Sequence, residues 1–330
     1  MKKKLMCMLL TGVMAASMLA GCGGSSESAD TAENTTDAAQ SADAADTAEN
    51  AGVAENAADT VANAEGSDFD AAEMIAVYSR EDGSGTRGAF IELFGIEQKD
   101  ESGEKIDYTT EEAVITNSTD VMLTSVAGDT YGIGYVSLGS LNDTVKAVKI
   151  DGAEATVENI KSGAYTIARP FNIATSGEVS DAAQDFINYI MSAEGQAVIT
   201  ESGYIGSDDA ATYESNGAAG KVVVGGSSSV SPVMEKLIEA YKAVNTGAEI
   251  ELQTSDSTTG MTGAADGTLD IGMASRALKD SEVESGLTGT QIAMDGIAVV
   301  VNLGNPVEDM KAETVKGIFM GEMTEWNAAN

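Results

Sequence analysis

The stretch IAVYS (75–79), REDGSGT (80–86) and RGAFIELF (87–94) reads as a strand, a tight polar turn and a helix. Such a turn gathers backbone N–H groups, two hydroxyls and one guanidinium at a helix start, where the helix dipole favours negative charge. These groups suit a small oxyanion. Gly83 and Gly85 let the backbone come close to a ligand, which a Cβ would obstruct. Arg80 can present a bidentate fork, and Asp82 can hold that fork in place. By itself the motif also fits an ordinary Gly-Ser turn.

The same design recurs twice. Gly225-Gly226-Ser227-Ser228-Ser229 follows the buried-type strand KVVVGG and precedes a helix with Val233, Leu237, Ile238, Tyr241 and Val244 at helical spacing. Pro232 fits the first turn of that helix, and Ser231 can cap it. Thr254-Ser255-Asp256-Ser257-Thr258-Thr259-Gly260 follows the strand AEIELQTS. Three such turns point to helix starts converging on one tetrahedral anion. YGIGYVSL (131–138), AVKIDG (147–152), TLDIGMAS (268–275) and MDGIAVVVN (294–302) read as further strands. Residues 154–162 and 181–201 read as helical, with Phe186, Ile187, Ile190 and Met191 on one face. The chain is therefore of the α/β class.

Composition narrows the function. MKKK, an apolar run from Leu5 to Leu19 and then Leu19-Ala20-Gly21-Cys22 form a secretory leader. With a cysteine directly after the small pair, the segment resembles the bacterial lipobox, which implies cleavage before Cys22 and a lipid on its sulfur; a plain secretory leader or a short anchor is the competing reading. The only other cysteine is Cys7, inside the leader, so the mature chain is expected to hold no disulfide. Residues 23–70 are rich in Ala, Asp, Glu, Ser and Thr and contain no Lys or Arg, the composition of an extended, disordered tether. A transient Ala-rich helix is the alternative. After leader and linker about 260 residues remain, enough for two lobes. There is no histidine, which removes Ser-His-Asp and Cys-His catalysis and histidine metal sites. No acidic cluster has a recognised ligand spacing, so no metal or cofactor is expected. A net charge of −35 argues strongly against nucleic acid and an anionic membrane surface as partners. An anion site in such a chain has to work through short, desolvated hydrogen bonds.

SREDGSGTRGAF (79–90), YGIGYVSLGS (131–140), KSGAYTIARPF (161–171), AEGQAVITESGYI (193–205), GGSSSVSPVMEKLIEAY (225–241), DGTLDIGMASRALKD (266–280), DGIAVVVNLGNPV (295–307) and VKGIFMGEMTEWN (315–327) resemble the PstS family, the phosphate-binding proteins of bacterial phosphate ABC importers. The resemblance covers essentially everything after residue 73. It implies a type II, two-lobed periplasmic-binding-protein-like fold, each lobe a mixed sheet flanked by helices, with phosphate in the interlobe cleft. It implies binding without catalysis, permease subunits of the PstC and PstA type with an ATPase as partners, a lipid-anchored extracytoplasmic location and a monomer. A phosphatase-like enzyme of the same fold, or a relic without transport coupling, are the alternatives.

The order of segments departs from the family, where the GSSSVSP-like segment comes first and the REDGSGT-like segment follows the FMGEMTEWN-like one. A circular permutation explains this, with new ends between TEWN and IAVYS; a truncated tandem duplication is the rival. The permutation expects one lobe from about 169 to 295 and the other from about 71–168 plus 296–330, with crossovers near TIARPF and MDGIAVV acting as hinge. Carried over by resemblance, the phosphate ligands are Arg80, Ser84, Gly85 and Thr86, then Ser228 with Ser227 or Ser229 beside it, and Ser257 with Thr258. Asp82 matches the aspartate that steadies the arginine. Arg276 stands where many family members carry the aspartate that accepts the proton of hydrogen phosphate. Asp256 is the first candidate substitute and Asp82 the second.

Overall fold

Two long strands, Ala168–Ser176 and Leu287–Val301, organise the described residues. The computed structural model describes residues 69–329. The leader, Cys22 and nearly all of the acidic linker expected from the sequence lie outside the described residues. In chain order the elements begin β1 (Ala76–Arg80), α1 (Gly85–Leu93), β2 (Glu97–Lys99), β3 (Lys105–Asp107), β4 (Val114–Thr116), α2 (Thr119–Gly128) and β5 (Gly132–Ser137). They continue with β6 (Lys146–Ala147), β7 (Lys149–Ile150), α3 (Val157–Ser162), β8 (Ala168–Ser176), α4 (Asp181–Ile190), α5 (Ala193–Glu201), β9 (Gly220–Ser227) and α6 (Ser231–Val244). The remainder is β10 (Ala248–Ser255), α7 (Ser257–Asp266), β11 (Ile271–Ala274), α8 (Asp280–Glu284), β12 (Leu287–Val301), β13 (Asp309–Met310) and α9 (Ala312–Phe319).

The main sheet runs β10-β9-β11-β8-β12-β5-β1-β4, with β6 also on β12. Parallel pairs β10/β9, β9/β11, β1/β5 and β1/β4 flank a central antiparallel block formed by β8, β12 and β5. β12 belongs to both halves: Leu287–Gly296 pair with β8, and Ile297–Val301 pair with β5. The sequence marks only its second half, because its first half (LTGTQIA) alternates weakly and half of it is exposed. β8 was read only as a crossover; it is a nine-residue strand.

Apolar residues on the two sides form separate cores. One packs Phe90, Tyr135, Ile297, Val299, Phe319 and Trp326. The other packs Phe171, Phe186, Val224, Leu237, Tyr241 and Met273. Aromatic stacking tightens the first, with Phe90 and Tyr135 rings 3.9 Å apart at 11°. In the second, α6 buries Val233, Met234, Leu237, Ile238 and Tyr241, the stripe its spacing predicts, while Val244 is exposed. Ser231 is not the cap of that helix. It is its first residue, and its hydroxyl meets Ser227 O and Thr254 Oγ1 instead. The 181–201 segment breaks at Ser192, whose hydroxyl caps α5 by accepting from Gly195 N.

One buried carboxylate stitches the second core to the segment that joins α5 to β9. Asp185 is fully buried and accepts hydrogen bonds from Tyr213 Oη (2.7 Å), Tyr241 Oη (2.8 Å), Asn245 Nδ2 (2.9 Å) and Asn216 N (2.9 Å). Burial works against its charge, yet these donors hold its pKa below the ordinary carboxylate value. Asp185→Ala strands the four donors, so we expect a loss of about 3 kcal/mol in unfolding free energy, read by urea denaturation.

Candidate functional site

β1 ends at Arg80, which is 2% exposed. Arg80 N donates to Tyr135 Oη, which also contacts Ser79 Oγ at 2.9 Å, so the stacked tyrosine fixes the strand end. The guanidinium is then held as a fork: Nε and Nη2 each reach a carboxylate oxygen of Glu81 at 2.8 Å. Its Nη2 also donates to Ser228 Oγ across the cleft at 3.0 Å, and Nη1 reaches Thr119 Oγ1 at 3.4 Å. Arg87 braces the turn from behind, donating to Arg80 O at 2.7 Å and pairing with Asp107.

Four helix starts face the same spot. Ser84 caps α1 by accepting from Arg87 N, leaving Gly85 and Thr86 buried at its first turn. Ser118 caps α2, whose first residue is Thr119. The 227–230 turn leads into α6. Asp256 caps α7, whose first residues are Ser257 and Thr258. Hydroxyls from the two sides of the cleft meet: Thr86 Oγ1 and Ser229 Oγ lie 2.8 Å apart, and Thr119 Oγ1 is 3.3 Å from Ser228 Oγ and 3.4 Å from Ser229 Oγ. Ser257 Oγ accepts from Ser275 N at 3.1 Å, and Ser275 Oγ accepts from Ser227 Oγ at 3.0 Å. A buried cation, several hydroxyls and helix N-termini in one dry place form a receptor for a small tetrahedral oxyanion.

Arg80, Thr86, Ser228 and Ser229 thus come together directly, with Ser84, Gly85 and Ser257 around them. Thr258 lies at the edge, its N and Oγ1 both donating to Gly83 O at 3.2 Å. The three charged residues proposed beside the anion take other roles. Asp82 does not hold Arg80; its side chain is 97% exposed and it pairs with Arg87 at 3.0 Å. Glu81, one residue earlier, holds the fork, while Asp82 lies in the turn that follows β1 and points to solvent. Asp256 is occupied by Thr259 N and Thr259 Oγ1 at its helix start. Arg276 makes a two-pronged pair with Glu282, at 2.8 and 2.7 Å. Burial opposes the Glu282 charge, and Arg276 with Lys279 N holds its pKa below the ordinary value.

The two glycines of the turn serve a different contact from the one expected. A Cβ on Gly85 would meet Ser257 Oγ and lie 2.8 Å from Ser275 Oγ, and one on Gly83 would run into the Asp256 carboxylate. The bare backbone is needed so that this turn can close against α7. Thr119 and Ser275 escaped the sequence reading. Asn117-Ser118-Thr119 before an apolar run was the available signal for Thr119, a helix-start signature of the same kind as the other three. Among the described residues no cluster of three His, Cys, Asp or Glu could hold a metal.

Thr119→Val keeps shape and β-branching but removes the hydroxyl that bridges Arg80, Ser228 and Ser229. We expect oxyanion affinity to drop about tenfold, on the scale of one hydrogen bond to a charged group, with an unchanged melting temperature. Calorimetric titration beside thermal unfolding checks both halves.

Comparison with known proteins agrees with this geometry. The chain is 57% identical over 254 residues to phosphate-binding protein PstS 2 of Streptococcus agalactiae, an alignment covering 77% of this chain and 87% of that protein. It is 46% identical over 258 residues to the protein of the same name from Streptococcus pneumoniae, covering 78% and 88%. The crystal structure of a phosphate-binding protein of a phosphate ABC transporter from Streptococcus pneumoniae superposes with a TM-score of 0.62 at 44% identity, covering 78% of this chain and all of that one. Residues 45–194 and 211–330 match the model of the PBP superfamily domain, and the chain belongs to that superfamily, among its PstS phosphate-binding proteins.

Proposed function

We propose that this protein captures inorganic phosphate between its two lobes and delivers it to an ABC importer, as an extracytoplasmic, lipid-anchored, monomeric binding protein without catalytic activity. The observation that carries the reading is the buried guanidinium of Arg80, fixed by Glu81 and reaching Ser228 of the facing lobe. Phosphate placed there would replace the hydroxyl-to-hydroxyl contacts of Thr86, Thr119, Ser228 and Ser229 with contacts to its own oxygens, tying both lobes to one ligand. The names of the streptococcal relatives support phosphate as that ligand. Lipid attachment at Cys22 and docking to PstC- and PstA-type permease subunits with their ATPase rest on the leader sequence and the family resemblance.

Among the described residues, the two acids beside the hydroxyl cluster are already engaged, Glu81 by Arg80 and Asp256 by Thr259. The proton of hydrogen phosphate is therefore accepted by a serine or threonine hydroxyl, which can both donate and accept. Titration of anion-stripped protein with phosphate should give tight one-to-one binding, and Arg80→Ala should weaken it by about 100-fold or more, the scale of truncating a buried charge partner. Unchanged affinity in that variant would falsify the placement of the site. Parallel titration with sulfate measures how far hydroxyls alone discriminate between the two anions.

We further propose that the segment order arose by circular permutation. Two observations support this reading. Ile75 N donates to Thr324 O at 2.8 Å and Asn327 N to Ala71 O at 2.7 Å, so residues 71–75 and 324–327 lie side by side. The 202–219 segment, which joins α5 to β9, is pinned on Asp185 through Tyr213 and Asn216. A rearranged chain that starts near Ala219, runs to Asn327, continues through a short linker into Ala71 and ends near Gly217, keeping Tyr213 and Asn216 on Asp185, should fold and bind phosphate with the same affinity. Failure of that chain to fold, by circular dichroism and melting, would count against the permutation.

A further inference from the structure

β2 and β3 pair with each other and form a small sheet of their own, apart from the main one. None of residues 97–110 is buried, so this hairpin adds no buried side chain to either core. Both carboxylate oxygens of Asp107, the last residue of β3, are nevertheless engaged. One accepts from Arg87 Nε at 2.9 Å and lies 2.8 Å from Arg87 Nη2. The other accepts from Thr109 N at 2.8 Å and from Thr109 Oγ1 at 2.6 Å. Burial opposes the charge of Asp107, and the bonds from Thr109 and Arg87 outweigh it, so its pKa lies below the ordinary carboxylate value.

Arg87 stands in an unfavourable place. It is the third residue of α1, in the first turn, where the helix dipole disfavours a cation. A positive charge there needs a local use. Its Nη1 donates to Arg80 O at 2.7 Å and lies 3.0 Å from Asp82 Oδ1. The side chain thus closes the 80–87 turn across its two ends, from the helix back to the last residue of β1. Asp82 is 97% exposed, so solvent screens its pull and Asp107 is the firmer anchor. Tyr135 Oη holds Arg80 N and Thr116 O holds Glu81 N, and Arg87 fixes the carbonyl between them. The Arg80 guanidinium hangs several bonds from this backbone, so a small rotation there becomes a large displacement at the anion. Donors of a binding site have to keep their positions to within about 0.5 Å.

We infer that Asp107 and Arg87 are positioning residues for the anion site: the hairpin carboxylate orients the Arg87 guanidinium, which fixes the Arg80 carbonyl and so aims the Arg80 fork. Both act through Arg80. A surface hairpin outside both cores thereby sets affinity at the ligand. The inference rests on phosphate binding at Arg80, as proposed above.

The test is calorimetric titration of the full chain with inorganic phosphate, beside thermal unfolding. Asp107→Asn keeps the shape of the side chain and removes the charge that orients Arg87. We expect phosphate affinity to fall about three- to tenfold, the scale of one hydrogen bond, with an unchanged melting temperature. Arg87→Lys offers one ammonium in place of a fork and should lose a similar factor, and Arg87→Met should lose more. In an Arg80→Ala background the Asp107→Asn loss should vanish, because the residue acts through Arg80. Unchanged affinity in the single variants, or an equal loss with and without Arg80, overturns the inference. Should Asp107→Asn melt early, Arg87→Lys and its cycle with Arg80→Ala decide in its place. Should the wild type bind no phosphate, the functional proposal falls by itself, and hydrogen exchange of the Arg80 Nε–H, read by NMR on the anion-free protein, decides. Faster exchange in Asp107→Asn than in the wild type upholds the positioning role, and equal exchange refutes it.

Discussion

A guanidinium buried in a chain of net charge −35 needs a reason to be where it is, and the rest of the molecule is arranged around that need. Arg80 is desolvated, and a lone buried charge costs several kcal/mol. Glu81 offsets part of that cost with a two-pronged pair, Tyr135 fixes the strand end beneath it, and Arg87 holds the carbonyl of Arg80 from behind. Its other donor contacts reach Thr119 and, across the cleft, Ser228. The surplus negative charge on the surface is no obstacle at this range, because exposed charges are largely screened beyond about 8 Å at physiological salt, while hydrogen bonds in a dry cleft are not.

The location of that charge follows from the strands. β12 carries its first half in one sheet region and its second half in the other, with β8 beside it, so the two cores share a backbone but almost no side chains. Each half presents the C-terminal ends of parallel strands toward the cleft, and each of those ends turns into a helix start. That is the ordinary place for a ligand in an α/β sheet. The same two strands place Arg169 and Asp295 at the crossing. The two buried arginines differ in their pairing: Arg80 reaches both carboxylate oxygens of Glu81, whereas Arg169 reaches one oxygen of Asp295.

The sequence by itself determined the class of fold and the type of ligand. Apolar strands ending in Gly-Ser-Thr turns before amphipathic helices are local patterns, and helix-start chemistry is local too. Arg80, Thr86, Ser228 and Ser257 were readable for that reason, and Thr119 was readable in principle from Ser118-Thr119 before its helix. Only the tertiary structure decided which acid serves which base. Glu81 rather than Asp82 holds Arg80, Asp256 caps a helix, and Arg276 pairs with Glu282, because each choice depends on where side chains point once strands twist and lobes meet. The same holds for Gly83 and Gly85, whose missing side chains matter only against α7, far away in sequence. The buried Arg169–Asp295 pair is the extreme case: the two residues lie 126 apart in sequence, no periodicity links them, and only the pairing of β8 with β12 brings them together.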